Sequence, residues 1–180
     1  MIVIIGESSC GKSSVADYIS QVTGLNKIIT YTTRPQRDGE KDGVDYYFIN
    51  KSHFENLRRN GFFLEVATYN GWYYGSAKED YLNDNSVVVL TPSGLRELKN
   101  SNVNNIYSVY IKVPRRDRLI KCLERGDDID EAYRRNLSDL GQYDGVKKEV
   151  NCTIENPNYV MDVTTIGDII IKKASENERV

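Results

Sequence analysis

The sequence predicts an α/β protein with a parallel sheet flanked by helices, and three observations carry that prediction. Short apolar runs alternate with amphipathic helical stretches, the pattern of βαβ units. The opening run, Ile2 to Ile5, is apolar throughout, as suits a strand covered on both faces. The stretch from Arg34 to about Asn85 behaves differently: it is rich in Gly, Tyr and Asp, and its strands alternate instead of running solidly apolar. It reads as a small α+β insertion at the edge of the sheet. The 180 residues suit one domain, with its core in about 1–33 and 86–180 and the insertion in about 34–85. A domain of this size buries roughly 70% of the surface its unfolded chain exposes. It needs neither disulfide nor metal to fold.

Taken in order, Ile2–Ile5 is the first strand, and a helix follows from about Lys12 to Val22, ended by Gly24. Lys27 to Thr32 reads as a second strand. Within the insertion, Ser52-His53-Phe54-Glu55 has capping-box spacing and predicts a short helix ending near Gly61. Asn70-Gly71 between Phe62–Tyr69 and Trp72–Tyr74 is a two-residue hairpin signal. Ser76-Ala77-Lys78-Glu79 repeats the capping-box spacing before a further helix. Val87–Leu90 and Ile106–Val113 read as buried strands with a helix over Ser93–Lys99 between them. Pro114 ends the later strand and leads into a helix reaching about Arg125, which Gly126 stops. Asp130–Leu140 is another helix and Asn151–Ile154 a last core strand. A closing helix over about Thr165–Ala174 is followed by a polar tail.

Composition excludes several classes of function. There are 24 Lys and Arg against 26 Asp and Glu, a net charge of −2, which argues against general affinity for a nucleic-acid backbone. No apolar run approaches the ~20 residues of a membrane span. The N-terminus lacks the basic region and cleavage site of a secretory leader, so a cytoplasmic location is expected. Cys10, Cys122 and Cys152 are odd in number, lack metal-ligand spacing and read as reduced thiols. His53 is the single histidine, so no histidine-based triad can form. Thirteen tyrosines against four phenylalanines suit a site that stacks on rings and bonds phosphates.

Gly6-Glu7-Ser8-Ser9-Cys10-Gly11-Lys12-Ser13 fits Gly-x-x-x-x-Gly-Lys-Ser between a predicted strand and a predicted helix, the context that a P-loop NTPase requires. The two glycines let the loop curl so that backbone N–H groups converge on a phosphate at a helix N-terminus. Lys12 reaches the β- and γ-phosphates, and the Ser13 hydroxyl can ligate Mg²⁺. Cys10 reads as a small filler, although a helix N-terminus lowers a thiol pKa. The second substrate is written in the next segment. Arg34 and Arg37, three apart around Pro35, offer two planar forks to one phosphate dianion. Tyr46 and Tyr74 can add phenolic hydrogen bonds. Glu65 can accept two adjacent donors together, which guanine presents and adenine does not. Thr30 and Ser76 hydroxyls can serve the guanine carbonyl.

Thr32-Thr33-Arg34-Pro35-Gln36-Arg37-Asp38-Gly39-Glu40, Gly43-Val44-Asp45-Tyr46-Tyr47-Phe48, Phe63-Leu64-Glu65 and Gly71-Trp72-Tyr73-Tyr74-Gly75-Ser76 together resemble the nucleotide-monophosphate segment of guanylate kinases. With the phosphate loop the resemblance covers roughly the first 80 residues closely, and extends more loosely through Arg125-Gly126. It implies transfer of the ATP γ-phosphoryl group to GMP or dGMP, with Mg²⁺, by a monomer or homodimer. It also implies an ATP site of Gly6, Glu7, Ser8, Ser9, Cys10, Gly11, Lys12, Ser13 and Ser14, and an adenine contact at Asn156. Positive charge would come from Lys12, Arg34 and a helical lid over about 125–140 that carries Arg125, Arg134 and Arg135. Two departures stand out. Thr91, expected beside the acceptor, occupies a position where the family carries an aspartate, and Asn136 sits where an arginine is expected. They leave three readings beside the kinase for GMP: a kinase for another nucleotide, a non-catalytic binding module, and an ATPase or GTPase switch. The intact loop with Lys12, Ser13, Arg34 and Arg37 argues against the binding module, and a switch would leave the Arg34–Arg37–Tyr46 cluster unexplained.

Overall fold

The computed structural model describes residues 1–177; the last three residues of the polar tail, 178–180, lie outside them. The first strand, β1 (Ile2–Ile5), leads through the glycine loop into α1 (Lys12–Thr23), and Gly24 closes that helix with φ +74. β2 (Asn26–Lys27) and β3 (Tyr31–Thr32) come next. β4 (Tyr47–Phe48), α2 (Lys51–Arg59), β5 (Phe63–Tyr69) and β6 (Trp72–Ala77) follow. The chain then runs through β7 (Ser86–Val89), α3 (Pro92–Lys99) and β8 (Tyr107–Lys112). α4 (Arg115–Glu124), α5 (Ile129–Ser138), β9 (Cys152–Glu155) and α6 (Val163–Asn177) complete it.

β2, β7, β1, β8 and β9 form a five-stranded sheet in that order, with every pairing parallel. Alternate residues of β1 serve two cores. Ile2 and Ile4 pack with Val15, Ile19, Ile166 and Ile170 under α1 and α6, and Val3 and Ile5 pack with Leu95 and Leu98 under α3. Each such side chain contributes about 1.5–3 kcal/mol by leaving water. α6 comes so close to α1 at Gly167 that a β-carbon there would collide with the Tyr18 ring. Among the described residues no helix is long and apolar enough to cross a membrane.

The second sheet, ordered β4-β3-β6-β5, contains the insertion and begins three residues before Arg34. The run Lys27–Thr32 is therefore not one strand. Lys27 pairs with Val87 in the first sheet and Tyr31 with Gly75 in the second, with Ile28 buried between. The helix in the insertion is capped by Asn50, whose side chain accepts from the His53 N–H at 2.8 Å, rather than by Ser52. Ser76 caps nothing either. It lies within β6, and only a 3-10 turn, Lys78–Tyr81, follows. The β5–β6 hairpin closes as expected, with both Asn70 (φ 56) and Gly71 (φ 75) left-handed.

Candidate active site

The phosphate loop is fixed from behind. A β-carbon on Gly6 would stand 2.5 Å from both the Ile111 carbonyl oxygen and Cys10 Sγ, so only glycine lets the loop pass there. Gly11, φ +90, is the residue before α1 and turns the loop into the helix. Tyr143 donates to the Gly6 carbonyl at 2.6 Å and Tyr159 to the Ser9 carbonyl at 2.7 Å. The surplus of tyrosines is partly spent here. Cys10 faces the core, and burial pushes its thiol pKa up despite the Lys12 charge. Glu7 turns to the back of the loop and accepts from the Tyr110 hydroxyl at 2.7 Å. Lys12 Nζ donates to the Glu7 carbonyl at 2.8 Å, and Ser13 and Ser14 are exposed at the loop's open face.

A cleft of about 470 Å³ runs from this loop to the second sheet. The structure brings to its walls Gly6, Ser8, Ser9, Gly11, Lys12, Ser13 and Ser14 on one side and Thr30, Arg34, Arg37, Tyr46, Glu65, Tyr74 and Thr91 on the other. Arg34 is buried. It donates to the Glu40 carboxylate at 2.7 Å and to the Pro35 carbonyl at 2.7 Å, with its guanidinium 5.2 Å from the Tyr46 ring centre. Arg37 lies 3.5 Å from the Glu131 carboxylate. Burial, then the charges of Arg34 and Arg135, pull its pKa down, a sign that three guanidinium groups converge here.

Glu65 is 2% exposed, and its Oε1 has no hydrogen-bond partner among the described residues. An extra residue in β5 between Phe63 and Glu65 shifts the strand register just before it, the kind of bulge that re-aims a side chain. Burial, with the Glu97 charge adding and the Ser76 hydroxyl opposing, pushes its pKa up to about 7. Ser76 is fully buried and its hydroxyl lies 3.4 Å from that of Thr30. Thr91 borders the cleft while capping α3, its hydroxyl accepting from the Gly94 N–H at 3.1 Å.

The expected lid residues divide. Arg125 and Arg135 line the cleft, both held by Asp127, whose pKa falls to about 2 under the Arg125 bond first and then that of Arg135. Arg134 turns away, its guanidinium 4.4 Å from the Trp72 ring centre. Asn136 is buried and donates to the Ala132 carbonyl at 3.0 Å, so it acts within α5. Asn156 lies outside the cleft lining. Its side chain binds both the N–H and the carbonyl of Met161 at 2.9 Å and staples its own loop. In its place Lys121, Tyr159 and Val163 line that end.

Sequence reasoning missed Tyr69, Arg118 and Asp139. Asp139 is buried, accepts from Ser8 N–H at 3.0 Å and pairs with Arg118 at 2.7 Å. Burial pushes its pKa up to about 6 against the pull of Lys12 and of the Ser8 N–H. These contacts span up to 131 positions, and no local pattern signals them. Among the described residues no cluster of three or more His, Cys, Asp or Glu side chains is placed to hold a metal; the exposed Ser13 hydroxyl is the oxygen donor at the loop. That donor suits Mg²⁺ carried in on phosphate oxygens, which keeps its waters and needs few protein ligands.

Residues 1–171 match the family model described as guanylate kinase. The guanylate kinase of Mycoplasma genitalium is 34% identical over 140 residues, which are 73% of this chain and 58% of that protein. That of Rubrobacter xylanophilus is 30% identical over 166 residues, 88% of this chain and 86% of that protein. The crystal structure of guanylate kinase from Anaplasma phagocytophilum superposes with a TM-score of 0.74 at 22% identity, covering 98% of this chain and 85% of that one, a likeness of fold.

Proposed function

This chain belongs to the guanylate kinase family, and we propose that it transfers the γ-phosphoryl group of ATP to GMP or dGMP, giving ADP and the diphosphate. The observation that carries the choice of base is the buried, unpartnered Glu65 Oε1 on the wall opposite the phosphate loop. An acceptor oxygen desolvated without a partner costs about 1–3 kcal/mol, a cost removed by a base offering paired N–H donors. Adenine, with an acceptor at its N1, would leave that cost standing.

The insertion, about 34–85, holds the acceptor, and the segment 125–140 is the lid. Arg34 and Arg37 clasp the acceptor phosphate, with Tyr46 and Tyr74 beside them. An oxygen of that phosphate is the nucleophile, so the site needs positioning and charge neutralisation more than a base. Lys12, Arg125 and Arg135 supply positive charge along the line of transfer. Mg²⁺ would be held by Ser13 and the nucleotide's own oxygens, and when bound it offsets phosphate charge. The cysteines are unpaired thiols, which supports a cytoplasmic enzyme.

ADP release from Mg·ATP with GMP, dGMP, AMP, CMP, UMP or dTMP, and with no acceptor, tests this reading. Turnover confined to GMP and dGMP is expected. Turnover with another monophosphate supports a second reading, a kinase for a different nucleotide, which the neutral Thr91 at the cleft favours.

A further inference from the structure

Tyr69 ends β5 at the hairpin tip, and its hydroxyl crosses from the second sheet to the phosphate loop. It donates to Asp139 and lies 3.3 Å from the Ser8 hydroxyl. Ser8 is gripped at every polar atom by groups outside the loop. Asp139 accepts from its N–H at 3.0 Å and from its hydroxyl at 3.2 Å, and Arg118 donates to its carbonyl at 3.1 Å. Ser8 is thus the handle by which the rest of the protein sets the loop.

The other side of Tyr69 faces the acceptor end. Its ring meets Tyr74 edge-on at 6.4 Å, Tyr74 meets Tyr46 at 6.1 Å, and the Arg34 guanidinium stands 5.2 Å from the Tyr46 ring centre. One contiguous row therefore joins the arginine at the acceptor phosphate to the handle of the donor loop. Its ends are stiff. Both turn residues after Tyr69 are left-handed, which locks the hairpin, and the Arg118–Asp139 pair is buried. A shift of β5 or β6 under the acceptor must move the Tyr69 hydroxyl against Ser8 and Asp139.

We propose that Tyr69 is a positioning residue that couples acceptor binding to the donor phosphate loop, so that an acceptor monophosphate in its site tightens the binding of the donor triphosphate. The proposal rests on the kinase reading above. Such coupling is reciprocal, each ligand changing the other's affinity by one factor. Contiguity alone does not establish it, so the test must measure that factor.

The experiment is isothermal titration of a non-hydrolysable ATP analogue with Mg²⁺, with and without saturating GMP, on the wild type and on Tyr69→Phe. In the wild type GMP is expected to tighten the analogue about tenfold. In Tyr69→Phe, which removes one hydroxyl and keeps the ring, that factor is expected to fall to about twofold or less. A merely structural role would change stability and both affinities without changing their ratio, so a thermal melt is run beside the titrations. A wild-type factor of one, or an equal factor in the two proteins, overturns the proposal. Phosphoryl transfer to GMP by the wild type is assayed in parallel. Its absence overturns the kinase reading instead, and its presence with an undiminished factor overturns this coupling alone.

Discussion

Glu65 and Gly94 compete for one spot: Glu65 Oε2 lies 2.9 Å from where a β-carbon on Gly94 would stand. Gly94 sits in the first turns of α3, where glycine costs about 0.5–1 kcal/mol relative to alanine. The helix gives up that stability and leaves room for a buried carboxylate.

Gly94→Ala should therefore separate stability from function. The helix gains propensity while the carboxylate is displaced, so the melting midpoint should stay within about 2–4 °C of wild type. Acceptor kcat/KM should fall at least about tenfold, which is about 1.4 kcal/mol. Steady-state kinetics beside a melt check this, and an unchanged acceptor KM would remove Glu65 from the base pocket.

Glu65 also predicts a pH dependence. Its pKa rises from the ordinary 4.5 to about 7 in the folded protein. Between those values the folded state keeps a proton that the unfolded chain has released, so stability is full below about 4.5 and declines until pH passes about 7. The loss is on the order of 3 kcal/mol. Melts of wild type and Glu65→Gln across pH 5 to 8 should diverge in slope, the variant being flatter. Acceptor kcat/KM should climb through pH 7 as the carboxylate ionises, and that rise should vanish in Glu65→Gln. The variant should also accept other bases more readily.

Arg37→Ala should raise acceptor KM by about 10- to 100-fold, the loss expected for a charge-assisted phosphate contact. Arg134→Ala serves as its comparison, because Arg134 is itself outside the cleft lining and stacks on Trp72 at its wall. Its acceptor KM should move less than about threefold. Lys12→Ala should cost about 100- to 1,000-fold or more in kcat. Equal effects of the two arginine variants on KM would refute the phosphate-clamp assignment.

Arg118→Leu should destabilise the protein by about 3–5 kcal/mol at pH 7, because it leaves Asp139 buried without its partner at 2.7 Å. Asp139 already holds its proton up to about pH 6. Without the guanidinium it should hold it higher still, so the deficit should shrink as pH falls toward 5. Urea melts at pH 7 and pH 5 measure this, and a deficit that grows on acidification would contradict it.

The core was legible because its signals are local. The apolar run Ile2–Ile5, the glycine loop and the Asn70-Gly71 turn each determine their own backbone. What escaped depends on partners far along the chain. Lys27–Thr32 is uniformly strand-like, and nothing within it marks where the pairing passes from Val87 to Gly75. Ser52 and Ser76 have capping spacing, but Asn50 takes the cap at one and the β5 ladder claims the other. For the site, Arg34, Arg37, Tyr46, Glu65 and Tyr74 were readable from residue type and spacing, and the structure gathers them on one wall. The bulge that turns Glu65 inward, and the Asp139 and Tyr69 contacts with Ser8, arise only in three dimensions. Asn156 misled because a buried amide serves a loop as readily as a ligand.

Six basic side chains, Lys12, Arg34, Arg37, Lys121, Arg125 and Arg135, line the cleft against three acidic ones, Glu40, Asp45 and Glu65, in a chain whose net charge is −2. The molecule is therefore a weak anion with a cationic mouth. A cleft lined mainly by one sign of charge concentrates ligands of the opposite sign and raises encounter rates by roughly 10- to 1,000-fold. That attraction is screened beyond about 8 Å at physiological salt, whereas contacts between buried groups are screened much less. Ionic strength should thus govern how often substrates arrive, and leave largely untouched what happens to them once they are held.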